Sequence, residues 1–252
     1  MVATSGSGAF VRREDAGGVC TLTLNRPDKL NAIDPALFDT LAEHLRELQQ
    51  DTSDLGVIVL RGAGRSFCAG VDLGGVGGVD LAGLRHQSRT LEVFGQLPQI
   101  VIAAVHGHCF TGGLELALAA DWIVAAESAR FGDTHGKYGL VPAWGMTQRL
   151  PRRIGAARAL ELMATSRRLD GREAERIGLA NCCVADDQLD ATVAALAAEI
   201  LANARHSNAA SKRLLRESDG MRLSDGLAHE QFRSPGSQPR NWLSPWRSSA
   251  RG

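Results

Sequence analysis

The chain has 252 residues, enough for one substantial hydrophobic core, and its 44% hydrophobic and 22% charged content suits an ordinary globular protein. Its 28 basic side chains are matched by 28 acidic ones, so it lacks the basic excess that nucleic-acid binding needs. Its five cysteines (Cys20, Cys68, Cys109, Cys182 and Cys183) are odd in number and show no CxxC spacing, which predicts small buried thiols in a reducing compartment rather than a zinc or disulfide framework. No apolar run reaches the ~20 residues of a membrane span. The opening MVATSGSGAF has neither the basic nor the apolar region of a secretory signal, so a cytoplasmic protein with no membrane partner is expected.

Residues 1–9 predict a flexible N-terminus. From Phe10 to Asn25 the pattern alternates around Gly17-Gly18, as a β-hairpin does. Pro35 then opens a segment with Leu37, Phe38, Leu41, Leu45 and Leu48 at helical spacing. VIVLRG at 57–62 is a buried strand that runs into the glycine-rich GAGRSFCAG, and GGVGGVDLAGLRHQS at 74–88 predicts a mobile loop entering a helix. A second unit follows, with QIVIAAVHG as strand, GGLELALAA as helix and DWIVAA as strand. This cycling suggests an α/β core of stacked units.

Helices dominate from Met146 onward, including a long one from about Gln188 to Arg205, with NCCVA as a strand and LAHEQF starting a last helix. These later helices are expected to pack on the first-half core. The expected organisation is a core over 10–187, a helical region over 188–232 and an irregular, proline-containing tail over 233–252.

Most motifs that could carry chemistry are weak. GGVGGV follows no strand directly and opens no convincing helix, so it reads as a loop rather than a dinucleotide site. His106 and His108 could share a strand face as metal ligands, but no third ligand has a supporting spacing. Ser66 and Ser128 lack a nucleophile elbow. Arg149, Arg152 and Arg153 read as a solvated helix flank, with a local basic patch the alternative.

Glu115 is different. It is either a surface acid favoured by the helix dipole or a carboxylate held in a site, because Leu114, Leu116, Ala117 and Leu118 make its helix apolar nearly all round. Gly112 and Gly113 would let a ligand approach the free N–H groups of that helix start. Upstream, SFCAGVDL offers another exposed N–H at or near Ala69.

Together GRSFCAGVDL, IVIAAVHGHCFTGGLELALAADWIVAAESARFG, GLVPAWGMTQRLPRRIG and LNRPDKLNAI closely resemble the enoyl-CoA hydratase/isomerase (crotonase) family. The resemblance runs from about Phe10 to Glu217. It implies a crotonase-like α/β spiral of repeated ββα units with C-terminal helices that assemble trimers, often stacked as hexamers. It also implies an acyl-CoA thioester substrate, with coenzyme A entering only as part of that substrate and no separate cofactor or metal. By position, the N–H groups of Ala69 and Gly112 resemble the pair that holds the thioester oxygen. Lys29, Leu30, Ala32, Ala69, Gly70, Val71, Asp72 and Gly112 are implied substrate or CoA contacts, Lys29 through a phosphate or as a solvated loop lysine. For Asp72, a turn or capping role is the alternative.

Hydratases of the family use two glutamates around one water. Glu115 matches the first, whereas His135 stands where the second is expected. An imidazole can still handle a proton near neutral pH, so Glu115 and His135 are the implied catalytic pair, with His135 as a merely structural residue the alternative. The implied activity is hydration of a trans-2-enoyl-CoA. One-base isomerisation or dehydration, and non-catalytic acyl-CoA binding, are the other readings. Trp144 either narrows the acyl pocket or is a core aromatic.

Overall fold

The structure is a computed structural model that describes residues 9–50, 54–72, 74 and 80–236. The expected hairpin is formed by β1 (Val11–Ala16) and β2 (Val19–Leu24), which pair antiparallel. Gly17 and Gly18 close its turn at φ of 58° and 85°, where a side chain would be strained. Alternation along β2 buries Cys20, Leu22 and Leu24 completely. Helix α1 (Pro35–Gln50) buries the predicted stripe of Leu37, Phe38, Leu41, Leu45 and Leu48.

Strand β3 (Val57–Gly62) lies parallel to β2, and helix α2 (Leu81–Gln96) follows. Asp80 caps α2 by accepting from the Gly83 N–H at 2.8 Å. The GGVGGV stretch falls mostly outside the described residues, as do residues 1–8 and the tail beyond 236.

Next come β4 (Ile100–Val105), β5 (His108–Phe110), α3 (Gly112–Ala119), β6 (Trp122–Ala126) and β7 (Arg130–Gly132). The second half contributes α4 (Met146–Ile154), α5 (Ala156–Thr165), β8 (Leu169–Asp170), α6 (Gly171–Arg176), β9 (Cys182–Val184), α7 (Leu189–Ala202), α8 (Arg205–Glu217) and α9 (Leu223–Arg233). Among the described residues, one sheet has the order β1-β2-β3-β4-β6-β9, and a smaller one has the order β5-β7-β8. All neighbours of the larger sheet beyond the hairpin are parallel. The smaller sheet was not expected from the sequence, because its strands are only two or three residues long.

Both faces of the large sheet are covered, as parallel strands require. On one face, Leu22, Leu60 and Ala103 join the main core with α1, α2 and α3. On the other, Val57, Val59, Ile102, Ala104, Val124 and Ala126 pack against Leu189, Val193, Ala197 and Ile200 of α7. Burying each of Leu189, Val193 and Ile200 contributes about 1.5–3 kcal/mol, so a helix beyond residue 188 is integral to the sheet.

Two local expectations change. Four of the cysteines are buried, but Cys182 is only half-buried. Arg149 and Arg153 do not form a solvated flank. The Arg153 guanidinium donates to Ala120 O and Asp121 O, both at 2.9 Å, beyond the end of α3, and Arg149 donates to Trp144 O at 2.6 Å. Only Arg152 is exposed, paired with Asp219 at 2.7 Å. His106 and His108 have protein partners, Gly64 O at 2.9 Å and Ser66 Oγ at 3.0 Å.

Candidate active site

The site is built where β5 turns into α3. Thr111, between them, has φ 51° and ψ −110°, a sparsely populated conformation that costs about 1–3 kcal/mol and persists only when its surroundings enforce it. Here they do. Its N–H donates to Gly132 O at 2.9 Å, its Oγ1 lies 2.6 Å from Thr134 Oγ1, and it accepts the Thr134 N–H at 3.2 Å. The Thr111 hydroxyl therefore faces the segment that follows β7 and does not cap α3, whose first-turn N–H groups lack a side-chain cap.

Gly112 and Gly113 are required by space. A Cβ at 112 would stand 2.4 Å from Trp144 Cζ3, and one at 113 would stand 2.4 Å from Cys68 O.

The upstream donor is set by how residues 68–72 pair. Cys68 N–H donates to His108 O (2.8 Å), Ala69 N–H to Leu30 O (3.0 Å), and Asp72 N–H to Ile33 O (2.8 Å), while Gly70 O accepts from Ile33 N–H (2.8 Å). The expected donor, Ala69, is thus already spent on the neighbouring loop. Val71 bridges Ile33 in parallel register, an arrangement in which the partner strand takes the N–H of the next residue and leaves its own pointing away. Among the described residues neither Val71 N–H nor Gly112 N–H has a protein acceptor. The two residues are adjacent, since Val71 Cγ2 lies 3.3 Å from the position a Gly112 Cβ would take.

Leu30 and Asn31 adopt φ of 52° and 55°. Asn31 holds that bend: its Oδ1 accepts from Arg26 N–H (2.8 Å), and its Nδ2 donates to Ala63 O (2.8 Å) and Ser66 O (2.7 Å). This supporting residue was missed from the sequence. An Asn followed by a tight paired segment is the signal that could have found it.

Glu115 lies on the first turn of α3 and is 1% exposed, which settles the choice left open by the sequence against a surface acid. Its Oε1 accepts from Trp144 N–H and Met146 N–H, each at 3.0 Å. Its Oε2 lies 3.8 Å from His135 Nε2. Burial pushes the carboxyl pKa up, against the opposing pull of the Met146 and Trp144 backbone donors.

His135 begins a single 3-10 turn, His135–Tyr138, just after β7. Its Nδ1 is 2.5 Å from Asp133 Oδ1, which also accepts the His135 N–H at 3.0 Å.

Glu115 and His135 open onto a cavity of about 230 Å³, whose walls include Val71, Asp72, Leu140 and Trp144. Trp144 meets both expectations, since it lines this cavity and packs edge-on against Phe38 with ring centroids 4.7 Å apart. Asp72 sits at the mouth in a turn. It accepts from Gly74 N–H at 3.2 Å and pairs with Arg26 at 3.1 Å, and these two contacts hold its carboxyl below the usual range. Gly70 is buried at φ 105°. Lys29, Leu30 and Ala32 lie on the adjoining loop outside the cavity lining, with Lys29 exposed. Among the described residues, no group of three His, Cys, Asp or Glu side chains is arranged to hold a metal ion, and no helix is long and apolar enough to cross a membrane.

This geometry, two N–H groups without a protein acceptor beside a buried carboxylate on a crotonase-like fold, is that of a known class. The enoyl-CoA hydratase/isomerase family matches residues 14–236, and the chain belongs to it. It is 33% identical over 217 residues to an Arabidopsis thaliana protein named probable enoyl-CoA hydratase 1, peroxisomal, covering 86% of this chain and 81% of that one. The structure of enoyl-CoA hydratase from Bacillus anthracis superposes with a TM-score of 0.87 at 32% identity, covering 99% of this chain and 96% of the other. A putative enoyl-CoA hydratase from Thermobifida fusca, solved in complex with acetoacetyl-CoA, gives 0.81 at 29% identity, covering 89% and 93%.

Proposed function

We propose that the chain is an enoyl-CoA hydratase, adding water to a trans-2-enoyl-CoA. The observation that carries this reading is the buried Glu115 carboxylate facing His135 Nε2 at 3.8 Å beside the unengaged Val71 and Gly112 N–H groups. In the proposed mechanism the thioester oxygen accepts from Val71 N–H and Gly112 N–H, a correction of the Ala69 assignment. A water seated about 2.8 Å from both Glu115 Oε2 and His135 Nε2 is held by the pair.

The water oxygen bonds C3 as its proton passes to Glu115, the C2–C3 π electrons move onto the thioester as an enolate, and the two N–H groups stabilise the new negative charge. Each such donor is typically worth about 3 kcal/mol. Return of a proton to C2 completes the addition. The largely apolar cavity suits an acyl chain, and Lys29, Leu30, Ala32, Gly70 and Asp72 are assigned to the path of the CoA moiety. Coenzyme A enters as part of the substrate, with no other cofactor.

One-base isomerisation of a 3-enoyl-CoA is the second reading, favoured by a histidine standing where family hydratases carry their second glutamate. A role in fatty-acid breakdown, a cytoplasmic location and a core–helical-region–tail organisation complete the proposal. Assembly as a trimer or hexamer is supported by Leu215, Leu223, Leu227 and Phe232, large apolar side chains exposed on α8 and α9.

The test follows the absorbance of crotonyl-CoA and longer enoyl-CoAs. Loss of the conjugated thioester band is the expected result. Conversion of 3-enoyl-CoA without any hydration would favour the isomerase. Calorimetric binding of CoA esters without turnover of either would sink both.

A further inference from the structure

Asp133 has no place in the mechanism above, yet it is a carboxylate 1% exposed to solvent. A buried carboxylate without a partner costs several kcal/mol. Its partner is His135: Oδ1 takes both His135 N–H at 3.0 Å and the ring Nδ1 at 2.5 Å. Among the described residues no Lys or Arg forms an ion pair with Asp133.

When Asp133 is ionised it only accepts hydrogen bonds, so the ring nitrogen facing it carries the proton, and when the ring is neutral its lone pair is then on Nε2. That nitrogen faces Glu115 Oε2. The intervening Thr134 is tied through its hydroxyl and its N–H to Thr111, the residue that starts α3. The backbone carrying Asp133 and His135 is therefore pinned to the helix carrying Glu115.

We propose that Asp133 is a positioning residue. It locks His135 in the Nδ1–H tautomer with Nε2 turned to Glu115, so that the pair presents two acceptors to the two protons of one water. This rests on the proposed hydration. Where a carboxylate fixes the tautomer of an active histidine, replacing it with its amide costs up to ~10⁴ in kcat.

The experiment uses the full chain, with Asp133→Asn and Asp133→Glu made in the wild type and Asp133→Asn also made in a His135→Glu background. Two readouts are taken: crotonyl-CoA hydration, and the protonation of the His135 ring nitrogens by ¹⁵N NMR at a pH where the ring is neutral. Asp133→Asn is expected to lower kcat at least ~30-fold with KM held within about threefold, and to shift the ring away from the Nδ1–H form. Asp133→Glu should recover part of the loss. In the His135→Glu background, with no imidazole to orient, Asp133→Asn should change kcat less than about threefold.

An unchanged tautomer in Asp133→Asn, or the same loss of kcat in both backgrounds, overturns the inference and leaves hydration standing. If the wild type turns over no enoyl-CoA, hydration fails, and the tautomer shift alone decides whether Asp133 sets the ring.

Discussion

Glu115 and His135 face each other across 3.8 Å, but the two regions that carry them hold them by opposite means. Glu115 stands on a regular helix and is oriented by two backbone N–H groups, those of Trp144 and Met146. His135 stands on a single 3-10 turn, and its ring is oriented by one side chain, Asp133. Backbone donors survive any substitution at their own positions except proline, provided the chain path is kept, whereas a side-chain acceptor is lost with one codon. The carboxylate is thus the structurally guarded member of the pair, and the imidazole is the one that a single neighbouring side-chain change can reorient.

The largest effect should come from Glu115→Ala. Removing the group proposed to handle the proton is expected to lower kcat by about 10²–10⁴-fold. It also leaves the Trp144 and Met146 N–H groups without an acceptor, at about 1–3 kcal/mol each. Hydration kinetics and a denaturant titration should both register it. Intact activity with lost stability would reduce Glu115 to a staple for the 144–146 loop and end the comparison.

Gly112→Ala comes next. The new Cβ would meet Trp144 Cζ3 at 2.4 Å, so the ring or the helix start must move, at about 1–3 kcal/mol for overpacking. Because Gly112 is also assigned as an oxyanion donor, kcat should fall together with the melting temperature. A variant that loses only stability would show that the donor tolerates displacement.

Much of this contrast was legible in the sequence, and the remainder depended on contacts between distant segments. The helix around Glu115 announces itself, because one acid among Leu114, Leu116, Ala117 and Leu118 has no polar face to occupy. The α1 stripe and the β1–β2 hairpin are likewise local patterns. Choosing Val71 over Ala69 needs the pairing of residues 30–33 with 69–72, about 40 positions apart, since only that pairing shows which N–H is already spent. β5, β7 and β8 are too short for a period-2 pattern to register. The Asp133–His135 contact depends on the turn that brings the carboxylate to a ring two residues on, which no local sequence pattern shows.

Glu115→Gln sharpens the comparison on stability. The amide keeps an oxygen for the two backbone donors but carries no buried charge. Burial raises the Glu115 pKa in the folded state, so the folded chain binds this proton more tightly than the unfolded one. The stability it contributes is complete below the ordinary carboxylate value of ~4.3 and is lost as pH rises through the raised folded value. The melting-temperature advantage of Glu115→Gln should therefore grow from near pH 4 toward neutrality, while hydration stays low throughout. In the wild type, the acid limb of kcat/KM should sit above the ordinary carboxylate range for the same reason. A limb at or below ~4 would mean that the backbone donors outweigh burial.

The smallest effect expected is that of Lys29→Ala. Lys29 is exposed at the end of the 3-10 turn Pro27–Lys29, on the loop that supplies Leu30 O to Ala69. If it meets a CoA phosphate, it does so as a solvated point charge, an interaction that salt screens. KM should then rise about two- to fivefold with kcat unchanged, and the difference should shrink at high salt. A fall in kcat instead would mean that the loop transmits strain through Leu30 to the Val71 donor. The guarded side of the site would then be coupled to the surface, against the rigidity that its backbone pairing implies.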